Sequence, residues 1–198
     1  MFPIHHKFPK EMAVVGRILV DYGEIELDLL NCVQMARGRD MNSTLKTMFR
    51  VRGELSRIQI ADALGRVPYT TLGLGDEFEI MIDAFDYCRR IRNKYAHAYW
   101  HDPVQGKRLC YVSLEELADE DQPVNDLGKL TFFFIDEPLL LQQETYFEFV
   151  RALLSYLNWE GQVRSKLIKA HVERMPVPPK KPPFFTAKWN PADGLIPS

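Results

Sequence analysis

Between Lys10 and Ala36, the residues Val15, Ile18, Tyr22, Ile25, Leu29, Cys32 and Ala36 recur at spacings of three and four. On a helix of 3.6 residues per turn these positions make one continuous apolar stripe. A stripe of that length has to be covered by other elements, so it commits the chain to helix packing. Gly38 is a stop signal for this first helix. A second helix is predicted from Asn42 or Ser43, either a suitable cap, to the Gly65–Pro68 region, with Leu45, Met48, Phe49, Leu55, Ile58 and Leu64 as its apolar positions. Gly53 interrupts that pattern.

After a turn-rich stretch, Thr70 to Gly75, a third helix is predicted from about Asp76 to about Trp100, ended by Asp102-Pro103. Phe78, Met81, Phe85, Cys88, Tyr95 and Tyr99 line one of its faces. A fourth begins near Pro138, a residue suited to a first helical turn, and continues to about His171. Between them, Arg108–Ser113 and Leu130–Ile135 are short, apolar and strand-like. They flank an acidic, partly helical connection carrying Glu115, Glu116, Asp119, Glu120, Asp121 and Asp126. The Phe132-Phe133-Phe134 run has to be covered, or it is an aggregation-prone edge. Beyond Val172 the chain turns proline-rich. Either this tail is flexible, or Phe184, Phe185 and Trp189 pin it to the body or to a partner.

The expected architecture is therefore mostly α: an up-down four-helix bundle with a two-stranded β-hairpin insert. One helical domain spans residues 1–172, the insert 101–136 and the proline-rich tail 173–198. At 198 residues the chain can bury a core without disulfides or metal. Cys32, Cys88 and Cys110 are odd in number and lack C-x-x-C spacing, which argues for buried, reduced thiols. The N-terminus has no signal-peptide core, and no stretch approaches the ~20 apolar residues of a membrane span. A cytoplasmic, soluble protein without membrane association is expected.

A formal net charge of -2 excludes a globally basic nucleic-acid-coating protein, though not a local basic site. There is no G-x-G-x-x-G, no P-loop and no H-E-x-x-H, so neither a nucleotide fold nor a metal centre is indicated. No cofactor is expected. His5-His6 and the Glu24/Asp28 pair read as solvated surface.

The informative segment is Arg92-Asn93-Lys94-Tyr95-Ala96-His97-Ala98-Tyr99. Arg92 falls near the middle of the stripe set by Phe85, Cys88 and Tyr95. A guanidinium there has to be paired or open onto a cleft. His97 lies ~140° away around the axis, so a neighbouring helix or a second subunit has to complete any shared site. A histidine moves protons near neutral pH, and an arginine holds negative charge on a phosphate. Together they suffice to cleave an RNA phosphodiester by 2′-hydroxyl attack. Arg89, Arg90, Arg92, Lys94, Lys107 and Arg108 surround a single acid, Asp102, and suit a phosphate backbone. Tyr95, Tyr99 and Trp100 are candidates for stacking on unpaired bases, and His101 for a further RNA contact. A purely structural alternative stands beside this one: Glu26 pairs with Arg92 and holds the first and third helices in register.

The string Arg92-Asn-Lys-Tyr-Ala-His97 resembles the R-x4-H motif of HEPN domains, with Asn93 in the place of the polar residue that often follows the arginine. The resemblance covers residues 10–100 and 138–171, leaving the insert and tail outside it. It implies an α-helical bundle and a metal-independent endoribonuclease. Such enzymes are usually homodimers serving toxin–antitoxin, defence or stress systems. Arg92 and His97 would be catalytic and Asn93 a supporting residue. Arg89, Lys94, Tyr95 and His101 are the candidate RNA contacts. His97-Ala98-Tyr99 extends the motif to R-x4-H-x-Y, similar to toxins whose tyrosine is adenylylated by a nucleotidyltransferase antitoxin. Tyr99 would then be a modification site and the antitoxin a protein partner. The competing expectation is a non-catalytic helical dimerisation or protein-interaction module, using the acidic connection and the polyproline segment.

Overall fold

Helices form where the apolar spacing predicts them, and they end where local backbone or sheet pairing overrides it. The computed structural model describes residues 3–104, 106–118, 130–191 and 194. In chain order the elements are α1 (Ile4–Lys7), α2 (Pro9–Ala36), α3 (Met41–Phe49), α4 (Glu54–Thr71), α5 (Gly75–Ala96), β1 (Ala98–His101), β2 (Leu109–Ser113), α6 (Leu114–Ala118), β3 (Phe132–Ile135), α7 (Glu137–Arg164) and β4 (Ala187–Trp189). The protein is mostly helical, with a small antiparallel sheet of strand order β1-β2-β3-β4.

Five expectations are corrected. The second helix is two: α3 and α4 are separated at Arg50–Gly53, where Gly53 sits at φ 98°, a conformation unfavourable to side-chain-bearing residues. The cap of α3 is Asp40, whose Oδ1 accepts the Ser43 N–H at 2.9 Å, two residues before Asn42 and three before Ser43. The third helix stops at Ala96, because Ala98–His101 is taken into the sheet by pairing with β2. Tyr and Trp favour that pleated setting. The fourth ends at Arg164, and His171 instead turns back to Glu160, Nε2 to Oε2 2.7 Å. The expected two-stranded hairpin is the centre of a four-stranded sheet, completed by β1 and by the tail's β4. Of the acidic connection, Leu114–Ala118 is helical, and residues 119–129 lie outside the described residues.

The chain forms two compact units. The first comprises Met1–Leu19, Ile91–Thr145 and Lys181–Ser198. Its core joins Val15, Ile18, Ile91, Tyr95, Leu139 and Leu140 to the buried sheet residues Cys110, Tyr111, Val112 and Phe134. The tail is pinned here: Gln143 Nε2 donates to Pro183 O at 2.7 Å, and Thr186 N–H to Phe134 O at 2.8 Å. Phe185 packs on Phe133, and Trp189 stacks on Phe132.

The second unit comprises Val20–Arg90 and Tyr146–Lys180. Contacts of Tyr22 with Phe85, Tyr69 with Phe78 and Tyr87 with Tyr146 draw α2, α4, α5 and α7 around one core. Burying a side chain of this size contributes about 1.5–3 kcal/mol. Two polar groups inside bond to nearby backbone: the Tyr69 hydroxyl donates to Cys32 O at 3.1 Å, and Cys32 Sγ to Leu154 O at 3.1 Å. At Gly65, α4 lies against the Phe78 ring of α5. A Cβ there would stand 2.8 Å from Phe78 Cε2 and closer still to Cζ, against a ring that is fully buried and stacked on Tyr69. Gly65→Ala is therefore expected to destabilise by about 1–3 kcal/mol in urea unfolding, despite alanine's better helix propensity.

All three cysteines are free and buried. Burial pushes the Cys32 and Cys110 thiols up to about 12 and raises Cys88 as well. A thiol kept protonated and enclosed is a poor nucleophile. Ellman's reagent at pH 8 should titrate the three only after denaturation. Full reaction of the native protein within minutes would contradict this packing.

Candidate active site

The motif occupies the place where α5 gives way to the sheet, within the first unit. Arg92 and Asn93 lie on the last turns of α5, both half-buried. The Arg92 guanidinium donates from Nη1 to Asn93 Oδ1 at 3.0 Å. Neighbours in sequence do not share a helix face, so the long arginine side chain curves sideways to reach the amide. His97 is the first residue after the helix. Its N–H donates to Asn93 O at 3.2 Å, closing the final turn, and the residue is exposed. Asn93 thus touches both candidates: its side chain holds the arginine, and its carbonyl holds the backbone of the histidine.

The remaining candidates are dispersed. Arg89 belongs to the second unit and is ion-paired with Asp86 at 2.8 Å. Lys94 places its amine 5.3 Å from the Phe184 ring centroid, a cation–π contact with the tail. Tyr95 is only 3% exposed. Its hydroxyl bonds Gln143 and its ring packs on Trp100 and Tyr111, so no base can stack on it. This corrects its expected role as an RNA contact. Trp100 is half-buried on the same inner side. Tyr99 is 57% exposed and stacks on half-buried His101. Glu26, the structural alternative's partner for Arg92, lies 3.0 Å from Arg57.

Asp102 anchors the turn between β1 and β2. Both its carboxylate oxygens accept the Gly106 N–H, at 2.7 and 2.6 Å, and Lys7 Nζ reaches Oδ2 at 2.7 Å. Burial works to raise its pKa, yet these partners hold it below the usual carboxylate range. The turn carries exposed Lys107 and half-buried Arg108, whose guanidinium sits 4.2 Å from the Phe134 ring centroid. A separate cleft of about 310 Å³ in the second unit is lined by Asp62, Glu79, Asp83 and Asp86 against Arg66 alone, the wrong sign for a phosphate backbone.

Phe132 and Trp189, expected only to be covered or to anchor the tail, join Tyr99 and His101 on one side of the sheet. The alternation His97, Tyr99, His101 was the available signal, and it was masked by the helical period ending at Tyr95 and Tyr99. Among the described residues, no cluster of three or more His, Cys, Asp or Glu side chains suits a metal ion, and no helix is long and apolar enough to cross a membrane.

Scanned against protein-family models, curated proteins and solved structures, the chain gave no match in any of the three comparisons.

Proposed function

We propose that the chain is a metal-independent endoribonuclease of HEPN type, a homodimer acting in a toxin–antitoxin, defence or stress system. The observation that carries this reading is the exposed His97 at the end of α5, tied through Asn93 to half-buried Arg92. His97 takes the proton of a ribose 2′-hydroxyl. The 2′-oxygen attacks phosphorus, and Arg92 holds the charge that develops on the non-bridging oxygens. The 5′-oxygen departs and takes up a proton, leaving a 2′,3′-cyclic phosphate and a 5′-hydroxyl. Asn93 keeps the guanidinium from swinging away. The exposed Tyr99 offers a hydroxyl to a modifying antitoxin.

The test is incubation of the purified full chain with single-stranded RNA in excess EDTA. Cleavage with 2′,3′-cyclic phosphate ends is expected. Absence of cleavage, or 3′-hydroxyl ends, counts against it.

One feature favours a second reading, the protein-interaction module. Met41, Leu45, Phe49, Val51 and Leu55 are exposed apolar side chains spread over α3, the following turn and the start of α4. A chain that self-associates through Leu45 and Leu55, as read by light scattering of their aspartate variants, yet cuts no RNA fits that module and not the nuclease.

A further inference from the structure

The sheet of the first unit carries aromatic rings on both sides, and the two sides differ. Residues directly opposite one another in a ladder share a face. The register therefore puts Trp100, Tyr111, Phe133 and Lys188 on one side. Tyr99, His101, Val112, Cys110, Phe134, Phe132, Ala187 and Trp189 fall on the other. On that second side four rings form a row. Tyr99 and His101 are 6.2 Å apart and 21° from parallel. His101 and Phe132 are 5.6 Å apart, and Phe132 and Trp189 5.5 Å and 29°. The row bridges β2 over Cys110 and Val112, whose short side chains let rings from β1 and β3 meet above them.

Covering Cys110 and Val112 does not need a ring as open as Tyr99, which is 57% exposed. Two cations follow the β1–β2 turn at one end of the row. Lys107 is exposed, and the Arg108 guanidinium lies over Phe134 on this side. Asp102, the one acid between Arg89 and Ser113, is neutralised by Lys7. A cleft of about 210 Å³ is lined by Tyr99 and His101 together with Trp100, Asp102, Pro3, Ile4 and Lys7. His97 stands immediately before β1, two residues from Tyr99.

We propose that the Tyr99–His101–Phe132–Trp189 row is a stacking platform for unpaired bases of single-stranded RNA. Lys107 and Arg108 hold the backbone, and the chain enters or leaves past His97. Aromatic faces accept any base, so the platform supplies affinity and single-strand preference without reading sequence. A duplex offers no free base faces and is excluded. The proposal rests on RNA being the ligand of the nuclease reading, and its test reads binding alone.

The probe is a short, fluorescein-labelled 2′-O-methyl oligoadenosine, which has no free 2′-hydroxyl to attack phosphorus. Its binding to the full chain is followed by anisotropy. Tyr99→Ala should weaken binding about 5- to 100-fold, and Tyr99→Trp should restore it. Lys107→Ala should reduce the salt dependence. Tyr99 is exposed, so unchanged far-ultraviolet dichroism and urea midpoints are expected in its variants. Equal affinity of wild type and Tyr99→Ala, or no binding by either, overturns the platform. Cleavage of ordinary RNA by the same wild-type sample then leaves the nuclease reading in place. Tyr99-dependent binding without any cleavage supports the platform and removes the nuclease. Loss of a dimer in Tyr99→Ala with unchanged oligonucleotide affinity assigns the row to a second copy of the chain and overturns the proposal.

Discussion

His97→Ala is expected to lower the rate of RNA cleavage by about 10²–10⁴-fold, the usual contribution of a positioned proton-transfer group. The same variant should unfold within ~0.5 kcal/mol of wild type, because His97 is exposed and alanine keeps the backbone N–H that closes the last turn of α5. Loss of activity with retained stability separates chemistry from architecture. Arg92→Ala should also lose cleavage, by about 10²–10³-fold. It will be less clean, since the half-buried guanidinium also donates to Asn93. Arg92→Lys keeps the charge but not the planar fork, so partial activity is expected. Asn93→Ala should act through the arginine, lowering kcat more than it raises KM, because the charge Arg92 holds develops only in the transition state. Undiminished cleavage by a folded His97→Ala protein would falsify the role given to that imidazole.

The second large effect is on stability. Tyr111→Ala should cost about 3–5 kcal/mol, the range for truncating a buried aromatic ring. Tyr111 is fully buried, with Tyr95, Trp100 and Phe133 around it at centroid distances of 5.9, 5.6 and 5.4 Å. Its hydroxyl donates to Phe184 O at 3.3 Å, so it also holds the tail. Tyr111→Phe keeps the ring and loses only that bond, costing about 0.5–1.5 kcal/mol. Urea midpoints measure the difference, and limited proteolysis should find residues beyond Val172 cleaved earlier in the alanine variant. For a chain of this length the alanine variant's Tm should fall by on the order of 10 °C. A fall no larger than that of Tyr111→Phe would mean that the ring is not the keystone of the sheet.

The helices could be read because their information is local. The three-and-four spacing in α2, the proline in the first turn of α7 and the buried face of α5 each sit within one segment. The break at Gly53 had a visible cause, whereas the stop at Ala96 did not. There the helical period runs on through Tyr99, and only pairing of Ala98–His101 with Leu109–Ser113 diverts the chain. Arg92 and His97 were recognisable as a pair by spacing. That Asn93 binds the arginine's side chain and the histidine's backbone was not, because it depends on a rotamer.

Local spacing and composition were enough for a mostly helical chain, three enclosed thiols, and a basic segment carrying His97 and His101. Pairing between distant segments was needed to make Ala187–Trp189 of the proline-rich tail a strand, to place Tyr95 in the interior, and to set Tyr99, His101, Phe132 and Trp189 in one row. The difference is one of range. A helix closes its hydrogen bonds four residues away, but β1 and β4 meet in one sheet from positions some ninety residues apart, and nothing in either strand names the other.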